Sequence, residues 1–273
     1  MLGDQTWSEV VEGPPADHGV AVTRVVQEMA QKLPDLPQLL GEQGSDLRRL
    51  LEALPDPPVD LRVTILAGLR TAHDSLVHVA ELAQDRRTVS ISILQSQLRA
   101  ALLGAGRIVF MLHPDDHAQQ LTNARIVLQQ ESKSLMQLYD TTRQFQRLTG
   151  LVPSADIITA QKARHAGVTA GASSMGDGKT LKAMADTIAQ ALVTQDRASA
   201  ETVKTIAELV GWMFNVSSGR AHGFGWPDLV PGVDVSADFS MVASITHLAF
   251  DTTLRRSAGP STPPRRRVGR GVS

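Results

Sequence analysis

One segment near the C-terminus carries the side chains best suited to chemistry on a phosphate ester. In VGWMFNVSSGRAHGFGW, Ser218 and His222 are four residues apart and therefore share a helix face, and Asn215 lies three residues before Ser218. The histidine could serve as a general acid or base, and Arg220 could hold a phosphate. A non-catalytic interpretation also stands, in which His222 interacts with the last carbonyls of the helix and the following glycine ends it.

A second segment, GASSMGDGKT at residues 171–180, ends like a phosphate-binding loop. The loop of P-loop nucleotide-hydrolysing proteins needs a buried strand before it and a helix after it. The preceding TAQKARHAGVTA has no apolar run for such a strand, and serine replaces the first glycine of the motif. We therefore predict a flexible connector, in which Asp177 or Thr180 caps a helix that begins near Leu181. Lys179 and Thr180 could still hold an anion at that helix N-terminus.

Histidines and acids elsewhere in the chain do not form a metal-binding pattern. The two groups closest in sequence are His113, Asp116 and His117, and His73, His78 and Glu81. Neither supplies two ligands four residues apart within a regular helix, because Pro114 interrupts the first group. Cysteine is absent, which excludes disulfides and thiolate metal sites and favours a reducing cytosol. We expect no metal ion and no cofactor.

The elements that must position these residues are helices. Hydrophobic residues make up 42% of the 273 residues and aromatic residues only 4%, a balance that suits helices packed on helices. No segment shows the alternating pattern of a strand, and no internal repeat is present. The sequence therefore predicts an all-α protein, an antiparallel helical bundle of about five to seven main helices.

Apolar residues at helical spacing predict where these helices lie. The expected helices span residues 20–32, 45–54, 59–84, 89–112, 114–148, 181–194, 200–222 and 237–256. The helix over 89–112 is apolar nearly all round in its second half, which predicts that it is the central core helix. The helix over 114–148 is expected to be the longest. Residues 155–180 are expected to be the least regular interior segment.

Three segments are expected along the chain. Residues 1–56 form an irregular segment with short helices, residues 57–258 form the bundle, and residues 259–273 form a disordered tail. Six arginines and no acids follow residue 254, so a net charge of −1 for the chain leaves −7 on residues 1–254. An acidic body does not suit a nucleic-acid groove, whereas the Arg-rich tail could contact nucleic acid or an anionic surface.

The N-terminal residues and the hydropathy of the chain bear on its location. MLGDQTWSEVVEG carries acids early and has no apolar run of signal-peptide length, and no stretch approaches the 18 apolar residues of a membrane span. We therefore expect a cytoplasmic protein without a membrane span.

Two motifs, in order along the chain, together resemble a known group of proteins. The first is HVAELAQDRRTVSISILQSQLRAALLGAGRIVFMLHPDD at residues 78–116, where an R-A-A-L helix runs into an apolar stretch and a Pro-Asp boundary. The second is the Ser-x-x-x-His-Gly turn from Ser218 to Gly223, with Trp226 after it. Over about residues 70–255 the chain resembles a group of uncharacterised all-helical proteins of actinobacteria and their phages, which are similar in plan to HEPN domains.

The resemblance implies a ribonuclease activity that can be compared with the residues present. HEPN ribonucleases of toxin and phage-defence systems place Arg-x(4–6)-His on a helix, and a dimer joins two such motifs. Here Asn215 stands where the arginine would fall, and Arg220 is the only arginine near His222. The stretch Arg107-IVFML-His113 has the required spacing, but it lies in an apolar helix that ends at a proline, and we interpret it as coincidental.

Two hypotheses for function follow. The first is a cytosolic interaction or scaffold protein without catalysis, which forms homo-oligomers through its long helices and binds a protein or RNA partner. The second is a HEPN-like, metal-independent ribonuclease or toxin-type effector, with His222 as acid and base and with Ser218, Arg220 and Asn215 around the phosphate. The missing arginine favours the first hypothesis.

Overall fold

A computed structural model describes residues 26–40, 42–54, 56–84, 90–170, 177–195, 198–224, 226–229 and 235–259. Within these residues all regular secondary structure is helical, and there is no strand. The predicted all-α class is therefore confirmed. The N-terminal segment before residue 26 and the Arg-rich segment after residue 259 lie outside the described residues, so the predictions made for them stay predictions.

Ten helices follow one another along the described chain. They are α1 (residues 26–32), α2 (Leu36–Leu39), α3 (Asp46–Ala53), α4 (Leu61–Gln84), α5 (Ile91–Leu112), α6 (His117–Thr142), α7 (Ala155–Thr169), α8 (Asp177–Thr194), α9 (Val203–Ala221) and α10 (Val235–Ser257). Short 3-10 turns occupy Thr149–Leu151, Ala200–Thr202 and Trp226–Leu229. Most of the long helices lie within a few residues of their predicted positions, since apolar periodicity is a local property.

Helix α5 is the central helix, as its composition predicts. It packs against α4, α6, α8, α9 and α10. From Leu98 onward its buried residues fall on every side of the helix, which a helix surrounded by neighbours requires. The closest contact is with α4, where Gly68 and Gly104 meet backbone to backbone: a Cβ atom on Gly104 would lie 2.5 Å from the carbonyl oxygen of Gly68.

The short helices α1 to α3 pack on the same core as the long ones. Met29, Leu36, Leu47 and Leu50 are fully buried and belong to the cluster that includes the core residues of α4, α5 and α10. The N-terminus of α3 is capped by the Ser45 side chain, which accepts a hydrogen bond from the Arg48 amide at 3.1 Å.

Arg256, near the end of α10, joins three parts of the chain. Its guanidinium donates to the carbonyl oxygens of Leu112 and His113 at the end of α5, and it pairs with Asp46 of α3 at 2.8 Å and with Asp115 at 2.8 Å. The Arg256 side chain is only 12% exposed. The sequence placed this arginine at the end of the last expected helix, and the structure shows that it also caps the central helix.

The prediction that residues 155–180 are the least regular interior segment is wrong for residues 155–170 and 177–180, whereas residues 171–176 lie outside the described residues. Helix α7 runs from Ala155 to Thr169 behind an N-cap at Ser154, whose side chain accepts a hydrogen bond from the Ile157 amide. It lies antiparallel to α6, because Ser132 contacts His165 while Asp140 contacts Lys162. The periodic pattern was weak because Ile158 and Val168 are the residues that α7 buries.

Helix α6 is the longest helix of the described chain, as predicted, but it is shorter at both ends. It begins at His117 after an N-cap at Asp116, whose carboxylate accepts hydrogen bonds from the Ala118 and Gln119 amides. It ends at Thr142, where a turn leads towards α7.

None of the helices in the described residues has the length and apolar character that crossing a membrane requires.

Candidate functional site

The C-terminal end of α9 is closed by a glycine turn, as the sequence predicts. Gly223 has a φ of 71°, in the left-handed region, and His222 is the C-cap. The Gly223 amide donates to the Arg220 carbonyl at 3.0 Å, and the Phe224 amide donates to the Gly219 carbonyl at 2.9 Å. This pair of hydrogen bonds is the Schellman arrangement, which satisfies carbonyls that the helix leaves free.

Gly219 has a second role in the same segment. A Cβ atom at this position would lie 2.5 Å from the Trp226 ring and 2.8 Å from the Pro227 ring, so both rings pack directly on the α9 backbone. The Arg220 guanidinium donates to the Pro227 carbonyl at 3.4 Å and bridges the helix to the same turn. The spacing of Gly219, Gly223 and Trp226 is therefore explained by the way in which the chain folds back on the helix.

The four predicted site residues lie on this helix end, but they do not converge on one point. His222 is exposed, and its ring lies 6.0 Å from the ring of Phe224. Asn215 is also exposed and donates to the Gly211 carbonyl of its own helix at 2.9 Å. Among the described residues, no hydrogen bond joins the side chains of Ser218 and His222. The arrangement leaves the imidazole accessible without a fixed protein partner to orient it.

The segment that resembles a phosphate-binding loop is only partly described. Residues 171–176 lie outside the described residues, and α8 begins at Asp177, so Lys179 and Thr180 are already helical. The prediction that Thr180 caps a helix beginning near Leu181 is therefore wrong, and Thr180 is buried inside the first turn. The described element before the loop is α7, a helix where a nucleotide-binding P-loop needs a strand.

A cleft of about 320 Å³ opens between α5, α6, α8 and α9. Its lining combines three cations with neutral polar and apolar groups. The cations are Arg99, Arg107 and Lys133, the neutral polar residues are Gln130, Ser134, Gln137 and Thr180, and the apolar residues are Leu103, Phe110, Val127, Leu181, Met184 and Phe214. A concave site that mixes apolar walls with a few convergent polar groups is typical of small-molecule binding.

Arg99 is held in this cleft by an aromatic ring. Its guanidinium carbon lies 5.3 Å from the centre of the Phe214 ring, within the range of a cation–π interaction. Its Nε atom is shielded from solvent and makes no hydrogen bond to the protein. A buried donor without a partner carries a desolvation cost.

Arg107 lies two turns further along α5, on the same cleft. Its Nη1 donates to Glu131 Oε1 of α6 at 2.5 Å, and both side chains are about one-third exposed. Arg99 and Arg107 are the two charged residues of α5, and both side chains line the cleft. These two arginines were the indication of the cleft that the sequence contained. Cations on one helix do not show which other helices complete a binding site.

The Arg107-x(5)-His113 spacing does not form a site. His113 is the C-cap of α5, whereas Arg107 lines the cleft and pairs with Glu131. Burial is the main cause that lowers the pKa of His113 below 6.5, and the nearby positive charge of Arg255 lowers it further. Its Nδ1 atom is buried and has no hydrogen-bond partner, which fits a neutral imidazole.

Among the residues that the structure describes, no three histidine, aspartate or glutamate side chains cluster closely enough to hold a metal ion.

No protein-family model, curated protein or solved structure matches the chain. Inference about function therefore rests on the surfaces and clefts of this chain.

Proposed function

We propose that this protein is a cytosolic, self-associating helical-bundle protein without catalytic activity, and that the end of the α6–α7 hairpin forms its contact with a second copy. The carrying observation is a set of large apolar side chains that stand in solvent at this end. They are Leu138, Leu148, Leu151 and Ile157, each at least half exposed. Apolar residues concentrated in one part of a surface are typical of an interaction site.

The packing of α7 supports this location. Helix α7 lies mainly against α6 and buries Ile158 and Val168, while much of its surface faces solvent. A helix with so little buried apolar surface is weakly stabilised by its own chain. Association with a second hairpin would bury the apolar residues that the monomer leaves exposed.

The charges near this end favour a second copy as the partner. Arg143 and Arg147 follow α6, while Asp140 and Asp156 lie at the adjoining ends of α6 and α7, and all four side chains are exposed. A two-fold contact places each surface against itself, so a surface that carries both signs can pair with its own copy.

The test is the molar mass of the protein by light scattering after size-exclusion chromatography, over a wide range of concentrations. We expect a dimer for the natural chain, and a monomer for Leu148→Glu and Leu151→Glu, because a buried carboxylate opposes the contact. The matched control is Val63→Glu on α4, whose valine is 56% exposed and should leave the dimer intact. A monomer at all concentrations for the natural chain would refute the proposal.

A second candidate function is a HEPN-like ribonuclease in which His222 acts as acid and base. The observation that favours it is the exposure of the His222 ring, which is available to an RNA rather than enclosed in packing. Arg220 and Ser218 lie within one turn of it on α9. The imidazole could then exchange a proton with a ribose 2′-hydroxyl while Arg220 contacts the phosphate.

This second candidate is tested by incubating the purified protein with varied RNAs in the presence of a metal chelator. Cleavage that is lost in His222→Ala and retained in His117→Ala, with the helical content unchanged in both, would support the ribonuclease. His117 is the control because it is also an exposed histidine at a helix end. If the natural chain cleaves none of the RNAs, the candidate is excluded.

A further inference from the structure

We propose that the cleft between α5, α6, α8 and α9 binds a small organic phosphate, a phosphate monoester attached to an aromatic or apolar group. Arg99, Arg107 and Lys133 give the cleft positive charge, and apolar side chains such as Leu103 and Met184 form its walls. This binding site is independent of both self-association at the hairpin and chemistry at His222.

The charge of the cleft matches a phosphate monoester. Three cations line it, and Glu131 neutralises one of them through its ion pair with Arg107, which leaves a net charge of two positive units. A phosphate monoester carries about −1.5 to −2 charge near neutral pH, whereas a carboxylate carries one negative charge. The phosphate is therefore the better electrostatic partner, in a body whose overall charge is negative.

Arg99 provides a preorganised donor for the anion. Contact with the Phe214 ring limits the positions of its guanidinium, so little conformational entropy remains to be lost on binding. The Arg99 side chain lines the cleft, so its guanidinium can form a charge-assisted hydrogen bond with an anion bound there. Lys133 is exposed at the rim and can approach the same anion as a flexible point charge.

The remainder of the cleft suits an uncharged body of modest size. Leu103, Phe110, Val127 and Met184 form apolar walls, and Gln130 and Gln137 offer amide groups beside them. A volume of about 320 Å³ is at the lower end of the range for ligand pockets. It therefore fits a single nucleoside monophosphate or an aryl phosphate better than an extended chain.

The experiment is isothermal titration calorimetry of the full chain at low ionic strength with phenyl phosphate, adenosine monophosphate, inorganic phosphate and benzoate. We expect saturable binding of at least one of the two organic phosphates, with weaker binding of inorganic phosphate and of benzoate. Lys133→Gln and Arg99→Gln should each weaken binding by about tenfold or more, because each removes a charge-assisted contact. Arg70→Gln, which removes an exposed arginine on α4, should leave binding unchanged.

The variants also guard against a folding artefact. The Lys133 side chain is exposed, so its replacement leaves the bundle packed, and the melting temperature of each variant without ligand checks this directly. The absence of saturable binding by both organic phosphates would overturn the proposal. So would benzoate binding as tight as that of phenyl phosphate, or binding that Arg70→Gln weakens as much as Lys133→Gln does.

Discussion

At the scale of single residues, the role of a side chain in this protein depends on its burial and its contacts more than on its residue type. His222, the first candidate for chemistry in the sequence, is an exposed C-cap, whereas His113 is half-buried at the end of the central helix. Arg99 of the R-A-A-L stretch and Arg107 of the coincidental Arg-x(5)-His spacing line the cleft between α5, α6, α8 and α9. A residue's neighbours in space therefore decide whether its chemistry is available.

The half-buried imidazole of His113 should make stability depend on pH just below neutrality. Because burial lowers its pKa in the folded state, the unfolded chain takes up the proton first as the pH falls below about 6.5. Protonation then favours unfolding, so the free energy of unfolding should decrease between pH 7.5 and 5.5. In His113→Gln this decrease should be smaller, as measured by urea denaturation at the two pH values.

The control for this experiment is His117→Gln, which removes an exposed histidine and leaves His113 in place. The Asp46 carboxyl does not interfere, because its hydrogen bond with Arg256 lowers its pKa below 3.8, outside this pH interval. An equal pH dependence in the natural chain and in His113→Gln would contradict the assignment.

At the scale of elements, the contact between α4 and α5 depends on two glycines. Gly68 and Gly104 allow the two helix backbones to touch, and a methyl group on either would meet the carbonyl oxygen of the other residue at less than 3 Å. Each glycine weakens its own helix by roughly 1 kcal/mol relative to alanine. The close approach offsets this loss of helix stability, because it brings the apolar faces of both helices into contact.

Replacement of Gly104 by alanine should therefore destabilise the protein, although alanine is the better helix former. We expect a loss of about 1–3 kcal/mol in the free energy of unfolding, since the backbone carbonyl of Gly68 cannot move aside cheaply. Gly211→Ala is the matched control, because this glycine of α9 has open space around it and should gain about 0.5–1 kcal/mol. Denaturant melts of the two variants should move in opposite directions.

At the scale of the whole molecule, Arg256 joins the beginning and the end of the described chain to its centre. Asp46 of α3, the last carbonyls of α5 and Asp115 before α6 all meet this one guanidinium. Sequence separations of more than 140 residues are closed at this point. Charge-assisted hydrogen bonds in a mostly enclosed position are among the stronger polar contacts in proteins.

Arg256→Gln should lower the free energy of unfolding by about 1–3 kcal/mol, because the α5 carbonyls and Asp46 lose their donor. The neighbouring Arg255 is exposed and offers a matched control, since Arg255→Gln retains the whole network. Thermal unfolding followed by circular dichroism compares the two variants. Equal melting temperatures for Arg256→Gln and the natural chain would show that the network contributes little.

The sequence by itself determined the features that depend on neighbours along the chain. Apolar periodicity placed α4, α5, α9 and α10, and the turn at Gly223 followed from the need for a residue that tolerates positive φ. These properties depend on residues within a few helical turns of one another, so they can be predicted from the sequence without knowledge of the fold. Helix α7 was not predicted, because it buries too few apolar residues to produce a helical pattern in the sequence.

The tertiary structure alone decided which distant groups meet. It brought Arg99 of α5 to Phe214 of α9, Arg256 of α10 to the last carbonyls of α5, and Gly68 to Gly104. Such contacts depend on how helices cross, and crossing is set by the combined shape of many side chains rather than by any local pattern. For that reason the candidate cleft could not be assembled from the sequence, although each of its residues is visible there.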